Sequence, residues 1–226
     1  SGYDECCMWK WFYEGKKTKR YYGPGIWHNG KSADGDQKVY GPDRYTDFVL
    51  DFIDRNKEGP FFVYFPMALV HSPFPEPPAQ RELAMSKMPK DVKGDTRNYG
   101  HMITYMDMLI GKILAKVKEI GQDDNTIIMF TGDNGSPRSI TSHLGDMELT
   151  GGKGRMIEAG TRVPFIVRWP GKVPAGRVAE QLFCLSDVAP TLNAIVGIKT
   201  EKEVDGLDLS HNFFGKPGTD RDHIFI

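Results

Sequence analysis

"TIIMFTGDNG", residues 126–135, is the stretch on which the fold of this chain turns. Thr126–Thr131 is an apolar run, and it passes without a break into Gly132, Asp133, Asn134 and Gly135. A short continuous apolar run bounded by turn residues fits a strand buried on both faces, as in a parallel sheet. In an open α/β sheet, ligands bind outside the carboxyl ends of the strands. The strand is then a rigid post, and Asp133 and Asn134 are displayed at its tip. Both side chains present oxygen, which suits hard cations such as Ca2+ or Mg2+ better than zinc. Asp-Asn-Gly is also a common tight turn, and on these residues alone both readings stay open.

Working outward, the segment before this strand is strongly helical. From Tyr99 to Ile120, apolar residues recur at Met102, Ile103, Met106, Leu109, Ile110, Ile113, Leu114, Val117 and Ile120, and Gly121 ends the pattern. Further upstream, Asp43 is expected to cap a helix carrying Tyr45, Phe48, Val49, Phe52 and Ile53 on one face, stopped by Gly59-Pro60. "FFVYF", residues 61–65, reads as a second buried strand, and His71 follows it in a proline-rich loop. If the two strands run parallel, His71, Asp133 and Asn134 share one rim of the sheet. Downstream, a long glycine-rich loop, 132–161, leads to a strand in "PFIVRWP", 164–170, and then to a short helix over 187–197 with Asp187 at its N-cap. Lys153 sits in that loop among Gly151, Gly152 and Gly154, on a stretch flexible enough to bring a point charge against an anion. The Gly-x-x-x-x-Gly-Lys spacing of a phosphate-binding P-loop is absent.

The order of elements predicts a single α/β domain over 1–226, a mostly parallel sheet flanked by helices. Residues 43–226 form its core, and residues 1–42, rich in Trp, Tyr and Gly, are expected to be irregular with one short hairpin. The formal net charge of −1 over 226 residues gives no global electrostatic case for nucleic acid or an anionic membrane. No apolar run approaches the roughly 20 residues that span a bilayer. Cys6, Cys7 and Cys184 have no Cys-x-x-Cys spacing and read as packing residues.

Together these features resemble the sulfatase family of the alkaline-phosphatase-like fold. The resemblance is carried by "FFVYFPMALVHSPFPEPP" (61–78), "YMDMLIGKILAKVKEIGQDDNTIIMFTGDNG" (105–135), "GGKGRMIEAGTRVPFIVRWPGKVPAG" (151–176), "LSDVAPTLNAIVG" (185–197) and "DGLDLSHNFFG" (205–215). It implies a sulfuric ester hydrolase. Asp133 and Asn134 match a pair of Ca2+ ligands, Lys153 the lysine that contacts sulfate, and His71 the histidine that assists the leaving group. Arg138 and His143, between Asn134 and Lys153, are candidates for contact with the organic part of the substrate, with a loop-stabilising role as the alternative. The family's Cys-x-Pro-Ser-Arg motif, whose cysteine matures to formylglycine, does not occur in this sequence. The expectation is therefore the C-terminal portion of a sulfatase catalytic domain, an incomplete fold that is inactive alone and binds calcium weakly. The formylglycine would come from an N-terminal part, and that part or an oligomer would cover an exposed sheet edge. The substrate would be a sulfated small molecule or glycan, and the origin periplasmic, secreted or lysosomal. A phosphatase or phosphodiesterase of the same fold, and a non-catalytic glycan-binding descendant, are the competing readings.

Overall fold

The computed structural model describes residues 2–78, 96–199 and 203–224. The chain packs as two compact units, divided between Gln122 and Asp123.

In the first unit, residues up to 42 are more ordered than the sequence suggests. β1 (Cys7–Trp9), β4 (Ile26–His28) and β5 (Lys31–Ser32) form a three-stranded antiparallel sheet, and β2 (Phe12–Tyr13) with β3 (Lys16–Lys17) forms a separate hairpin. Strands of two or three residues are too short to show an alternating pattern, which is why periodicity missed them. Helix α1 (Gly41–Arg55) starts two residues before the expected Asp43 cap. Pro42 explains the shift, because its fixed φ and missing N–H suit the first helical turn. Asp43 instead accepts a 2.7 Å hydrogen bond from the Tyr105 hydroxyl on the next helix. Burial raises the Asp43 carboxyl above its ordinary range, against the pull of that bond.

That next helix, α2 (Tyr99–Glu119), lies where the 3.6-residue period places it. It packs on α1 through Met102, Tyr105, Leu109 and Val117, all buried. Each large apolar side chain buried in this way contributes about 1.5–3 kcal/mol. Ile103, one residue off the stripe, stays exposed. Gly121, at φ +72°, turns the chain out of the helix: its N–H bonds Lys118 O and the Gln122 N–H bonds Val117 O, the paired bonds of a Schellman ending.

The expected strand at 61–65 is not formed. The segment is unpaired among the described residues, with Phe62 and Tyr64 61% and 66% exposed. Its side chains alternate as in a strand, but a ladder needs a neighbour to take its N–H and C=O groups, and none lies alongside.

In the second unit, β6 (Ile128–Thr131) does pair with β9 (Phe165–Arg168), but antiparallel rather than parallel, with Met129 opposite Val167. Every described strand pair in the protein is antiparallel. A parallel return needs a crossover of a dozen or more residues, usually a helix. The connection here holds only a hairpin, β7 (Thr141–Leu144) with β8 (Met147–Thr150), and the one-turn helix α3 (Glu158–Thr161), so the chain doubles back. The hairpin interrupts what was expected to be plain loop. Its two-residue turn, with Gly145 at φ +60°, is a local signal that the loop reading passed over. Arg168 is tied to Asp123 at 2.9 Å, which pins the far end of β9.

Helix α4 (Val188–Ile195) follows a 3-10 turn at Leu185–Asp187. Asp187 does not cap α4 through its side chain. It is fully buried and accepts from the backbone N–H of Cys184 (2.9 Å) and of Leu207 (2.8 Å), and from Arg221 (2.5 and 3.1 Å). Burial opposes its ionisation, but Arg221 and the two backbone donors outweigh it and hold the carboxyl below its ordinary range. Phe165, Phe183 and Phe213, the last on α5 (Ser210–Phe213), pack as an aromatic cluster beside it. The three cysteines are free and half-buried, as expected of packing residues.

Candidate functional site

The site in the second unit is built by glycines. Beyond β6 the ladder with the β9 side continues for one more step, from Gly132 N–H to Pro164 O at 3.3 Å. The chain then bends so that Gly135 N–H meets Gly160 O at 3.0 Å. The returning segment 151–153 runs against both: Gly151 N–H bonds Ile140 O (2.8 Å), Gly152 N–H bonds Ala159 O (3.1 Å), and Lys153 N–H bonds Ser136 O (3.0 Å).

No side chain would fit at these crossings. A Cβ on Gly135 would stand 1.9 Å from Ala159 O, on Gly151 2.1 Å from Pro137 O, and on Gly160 2.1 Å from Arg155 O. Gly151 and Gly152 therefore serve close backbone approach rather than the flexibility expected of them. Of the three glycines flanking Lys153, only Gly154 has a positive φ, +78°. The lysine is fixed at its Cα and stands one hydrogen bond from the residue two past Asn134.

Asp133, Asn134 and Lys153 are thus brought together. Asp133 is exposed, and Asn134 and Lys153 are half-buried. Asn134 Nδ2 donates to Gly135 O at 3.1 Å, which turns the amide and leaves Oδ1 as an open acceptor. Neither Asp133 nor Lys153 forms an ion pair among the described residues. Two hard oxygen donors and the backbone of a lysine without an ion-pair partner thus meet at one glycine crossing. Among the described residues no group of three or more His, Cys, Asp or Glu side chains converges as a metal site. The two oxygens fit a hard cation, but they are only part of the six to eight that a calcium ion takes.

Arg138 is exposed on the turn 136–140 that supports Lys153. His143 is exposed on β7, across from Glu148 and two residues beyond Thr141. Arg162 and Glu158 form an ion pair at 3.2 Å on the surface.

His71 belongs to the first unit, and sequence reasoning missed what holds it. The Tyr21 hydroxyl bonds both Ala68 O (2.9 Å) and His71 O, and the Tyr22 hydroxyl bonds Glu76 O (2.7 Å). Asn98 Nδ2 bonds Phe74 O at 2.9 Å, and His101 pairs with Glu76 at 2.7 Å. Burial pushes the Tyr21 hydroxyl up to about 12, so it stays a donor throughout the neutral range. The ring of His71 is exposed, and its Nδ1 lies 2.7 Å from Ser72 O. A carbonyl can only accept, so Nδ1 carries the proton and Nε2 holds the lone pair of the neutral ring. The adjacent tyrosines in "RYYG" were the only local signal of this bracing.

The comparisons with known proteins agree with one another. The sulfatase family model matches residues 2–198. N-acetylgalactosamine-6-sulfatase of Canis lupus familiaris is 31% identical over 183 residues, 78% of this chain and 33% of that protein. Arylsulfatase H of Homo sapiens is 33% identical over 186 residues, 79% of this chain and 31% of that protein. The chain thus spans about a third of the length of the curated relatives it matches. The crystal structure of Ps i-CgsB superposes with a TM-score of 0.71 at 30% identity, over 84% of this chain and 42% of that one. BT4656, in complex with D-glucosamine-2-N,6-O-disulfate, has a TM-score of 0.70 over 98% of this chain and 61% of that one, and at 21% identity that likeness speaks for the fold alone. The architecture is accordingly a partial α/β unit of the alkaline-phosphatase-like fold. The matched span reaches into both compact units and includes every residue of the candidate site, and this chain belongs to the sulfatase family.

Proposed function

We propose that this chain supplies the sulfate-holding part of a formylglycine-type sulfatase site, which hydrolyses the sulfate ester of a glycan or smaller molecule. The observation that carries the proposal is the glycine crossing that fixes Lys153 one hydrogen bond from Ser136, beside Asp133 and Asn134. Sulfuryl transfer gathers negative charge on the sulfate oxygens. An ammonium group carried on a backbone already held in place stabilises that charge with little reorganisation of the chain at the moment of reaction. Lys153 takes this role. His71, its Nδ1 proton committed to Ser72 O, works through Nε2, which when protonated gives its proton to the leaving oxygen. Asp133 and Asn134 Oδ1 would hold a divalent ion such as Ca2+, which when bound supplies Lewis-acid polarisation of the sulfate. Arg138 and His143 are the side chains offered to the organic part of the substrate.

The substrate class draws support from relatives. One is named an N-acetylgalactosamine-6-sulfatase, and Ps i-CgsB, 31% identical, was solved with k-i-k-neocarrahexaose. The nucleophile is assigned to a Cys-x-Pro-Ser-Arg segment, which is not among these 226 residues, so the chain is inactive alone. That segment's part of the protein, or a second copy of this chain, would also cover the unpaired strand-like run with exposed Phe62 and Tyr64. An exported location completes the reading. No helix among the described residues is long and apolar enough to cross a membrane.

The test is co-expression of this chain with a polypeptide bearing Cys-x-Pro-Ser-Arg, alongside the formylglycine-generating enzyme, assayed on 4-nitrophenyl sulfate and 4-nitrophenyl phosphate. Sulfate release that disappears in Lys153→Ala supports the proposal. Preference for the phosphate ester replaces it with a phosphatase, and no turnover of either ester ends it.

A further inference from the structure

The aromatic N-terminal segment has no part in the chemistry above, yet its surface is built with care. In the β2–β3 hairpin Phe12 stands opposite Lys17 and Tyr13 opposite Lys16. Its two-residue turn, Glu14 and Gly15, has φ of 50° and 74°, the twist that suits a tight hairpin. Directly opposed residues share one face of such a ribbon, so each face carries one ring beside one ammonium group.

The Tyr13 face, which also carries Lys16, is partly covered, with Tyr13 39% exposed. Its ring lies 4.2 Å from Lys10 Nζ and meets Trp27 edge-on at 5.7 Å. Lys10 is buried beneath it, bonded to Ser32 (2.9 Å) and paired with Asp34 (2.6 Å), so the base of the hairpin is anchored. The Phe12 face is open: Trp11 and Phe12 are 61% and 60% exposed. Their rings stack at 6.0 Å, Trp11 stacks in turn on Trp9 at 6.0 Å, and the Arg20 guanidinium lies 4.3 Å from the Trp9 ring. Four flat groups thus stand in file. Lys16 and Lys17 are exposed and form no ion pair among the described residues.

Contiguous exposed aromatic surface on an anchored hairpin marks a binding face rather than core that failed to close. We infer that the Trp11–Phe12 face, with Lys17 beside Phe12, binds a sulfated polysaccharide. The C–H faces of pyranose rings lie on the aromatic rings, and sulfate oxygens accept hydrogen bonds from the Lys17 ammonium group. Nucleic acid fits less well: a strand needs a continuous basic groove, and here two unpaired ammonium groups border an acidic turn in a chain of net charge −1. The choice of sulfate over other anions rests on the sulfatase reading; the aromatic platform does not.

The test is affinity electrophoresis of the 226-residue chain through gels containing chondroitin 6-sulfate, the same polymer chemically desulfated, or poly-dT. The sulfated polymer should retard the chain. Trp11→Ala should weaken that binding roughly three- to tenfold, the scale of one lost aromatic stacking contact. Trp11→Tyr should retain most of it, and Lys17→Gln should weaken it and flatten its salt dependence. Circular dichroism of each variant checks that the hairpin change leaves the fold intact, and the tyrosine variant keeps the comparison decisive should the alanine variant misfold. Equal retardation by the desulfated polymer, unchanged binding in folded Trp11→Ala, or tighter binding of poly-dT would overturn the inference. The two readings fail separately. Polymer binding without any sulfate release from the assembled enzyme counts against the sulfatase reading, and sulfate release from the small aryl ester with no polymer retardation counts against this one.

Discussion

Gly135→Ala tests whether close backbone approach, and not flexibility, is what the glycines at the site provide. The added Cβ would stand 1.9 Å from Ala159 O and 2.8 Å from Ala159 C, whereas real Cβ contacts are not found below 3.0 Å. One strand of the crossing must therefore retreat by about 1.1 Å. Such a shift breaks the 3.0 Å bond from Gly135 N–H to Gly160 O and strains the neighbouring 3.1 Å bond from Gly152 N–H to Ala159 O. Overpacking of this kind costs about 1–3 kcal/mol, and a buried N–H left without its acceptor adds about 1–3 kcal/mol. A loss of about 3 kcal/mol is the central expectation once partial relaxation is allowed for. Gly111→Ala supplies the opposite sign. Gly111 lies inside α2 with nothing within 4 Å of its would-be Cβ. There alanine should stabilise by about 0.8–1 kcal/mol through helix propensity alone. Urea unfolding followed by far-UV circular dichroism measures both, with the slope checked for constancy. If Gly135→Ala proves as stable as the parent, the crossing yields easily and the argument that it fixes Lys153 collapses.

Four further outcomes follow from the same geometry. Lys153→Ala, which removes no ion pair, should leave stability within about 0.5 kcal/mol but lower sulfate hydrolysis by the co-expressed assembly about 10²–10³-fold, read by sulfate release. Arg221→Ala strands the fully buried Asp187 carboxylate and should cost about 3–5 kcal/mol. Because the folded Asp187 carboxyl titrates below its ordinary range, its contribution is complete above that range and fades as pH falls through the lowered value, so acid titration should erase the difference between parent and Asp187→Asn. In an alkaline titration followed at 295 nm, Tyr21, Tyr40, Tyr45 and Tyr105 should stay silent near pH 10, because burial raises all four and holds Tyr21 at about 12. Folding stability should correspondingly be intact below pH 10 and fall as these groups ionise.

What the sequence made legible, and what it hid, follows from the range of the forces involved. α2 was readable because apolar residues, Met102, Leu109 and Val117 among them, recur at helical spacing over more than four turns, and one ending glycine marked the boundary. Asp133, Asn134 and Lys153 were not singled out by their residue types alone, because Asp-Asn-Gly is also a common tight turn and a lone lysine a common surface residue; the family resemblance is what drew them together. The direction of β9 was not readable: "PFIVRWP" has the same apolar content in either sense, and only the lack of a crossover helix between Thr131 and Phe165 decides it. Nor could a local rule foresee that 61–65 would lie unpaired, since an apolar run states a demand for neighbours and says nothing about whether they are present. The glycines mark the sharpest contrast. In sequence, Gly151, Gly152 and Gly154 look alike, and each reads as freedom for Lys153. In space they differ: Gly154 supplies a left-handed turn, while Gly151 and Gly152 leave room for the carbonyls of Pro137 and Ala159. The same absent Cβ that loosens an isolated chain tightens a folded one. A lysine set among such glycines is therefore held in place by them, which is the property a site for transition-state charge requires.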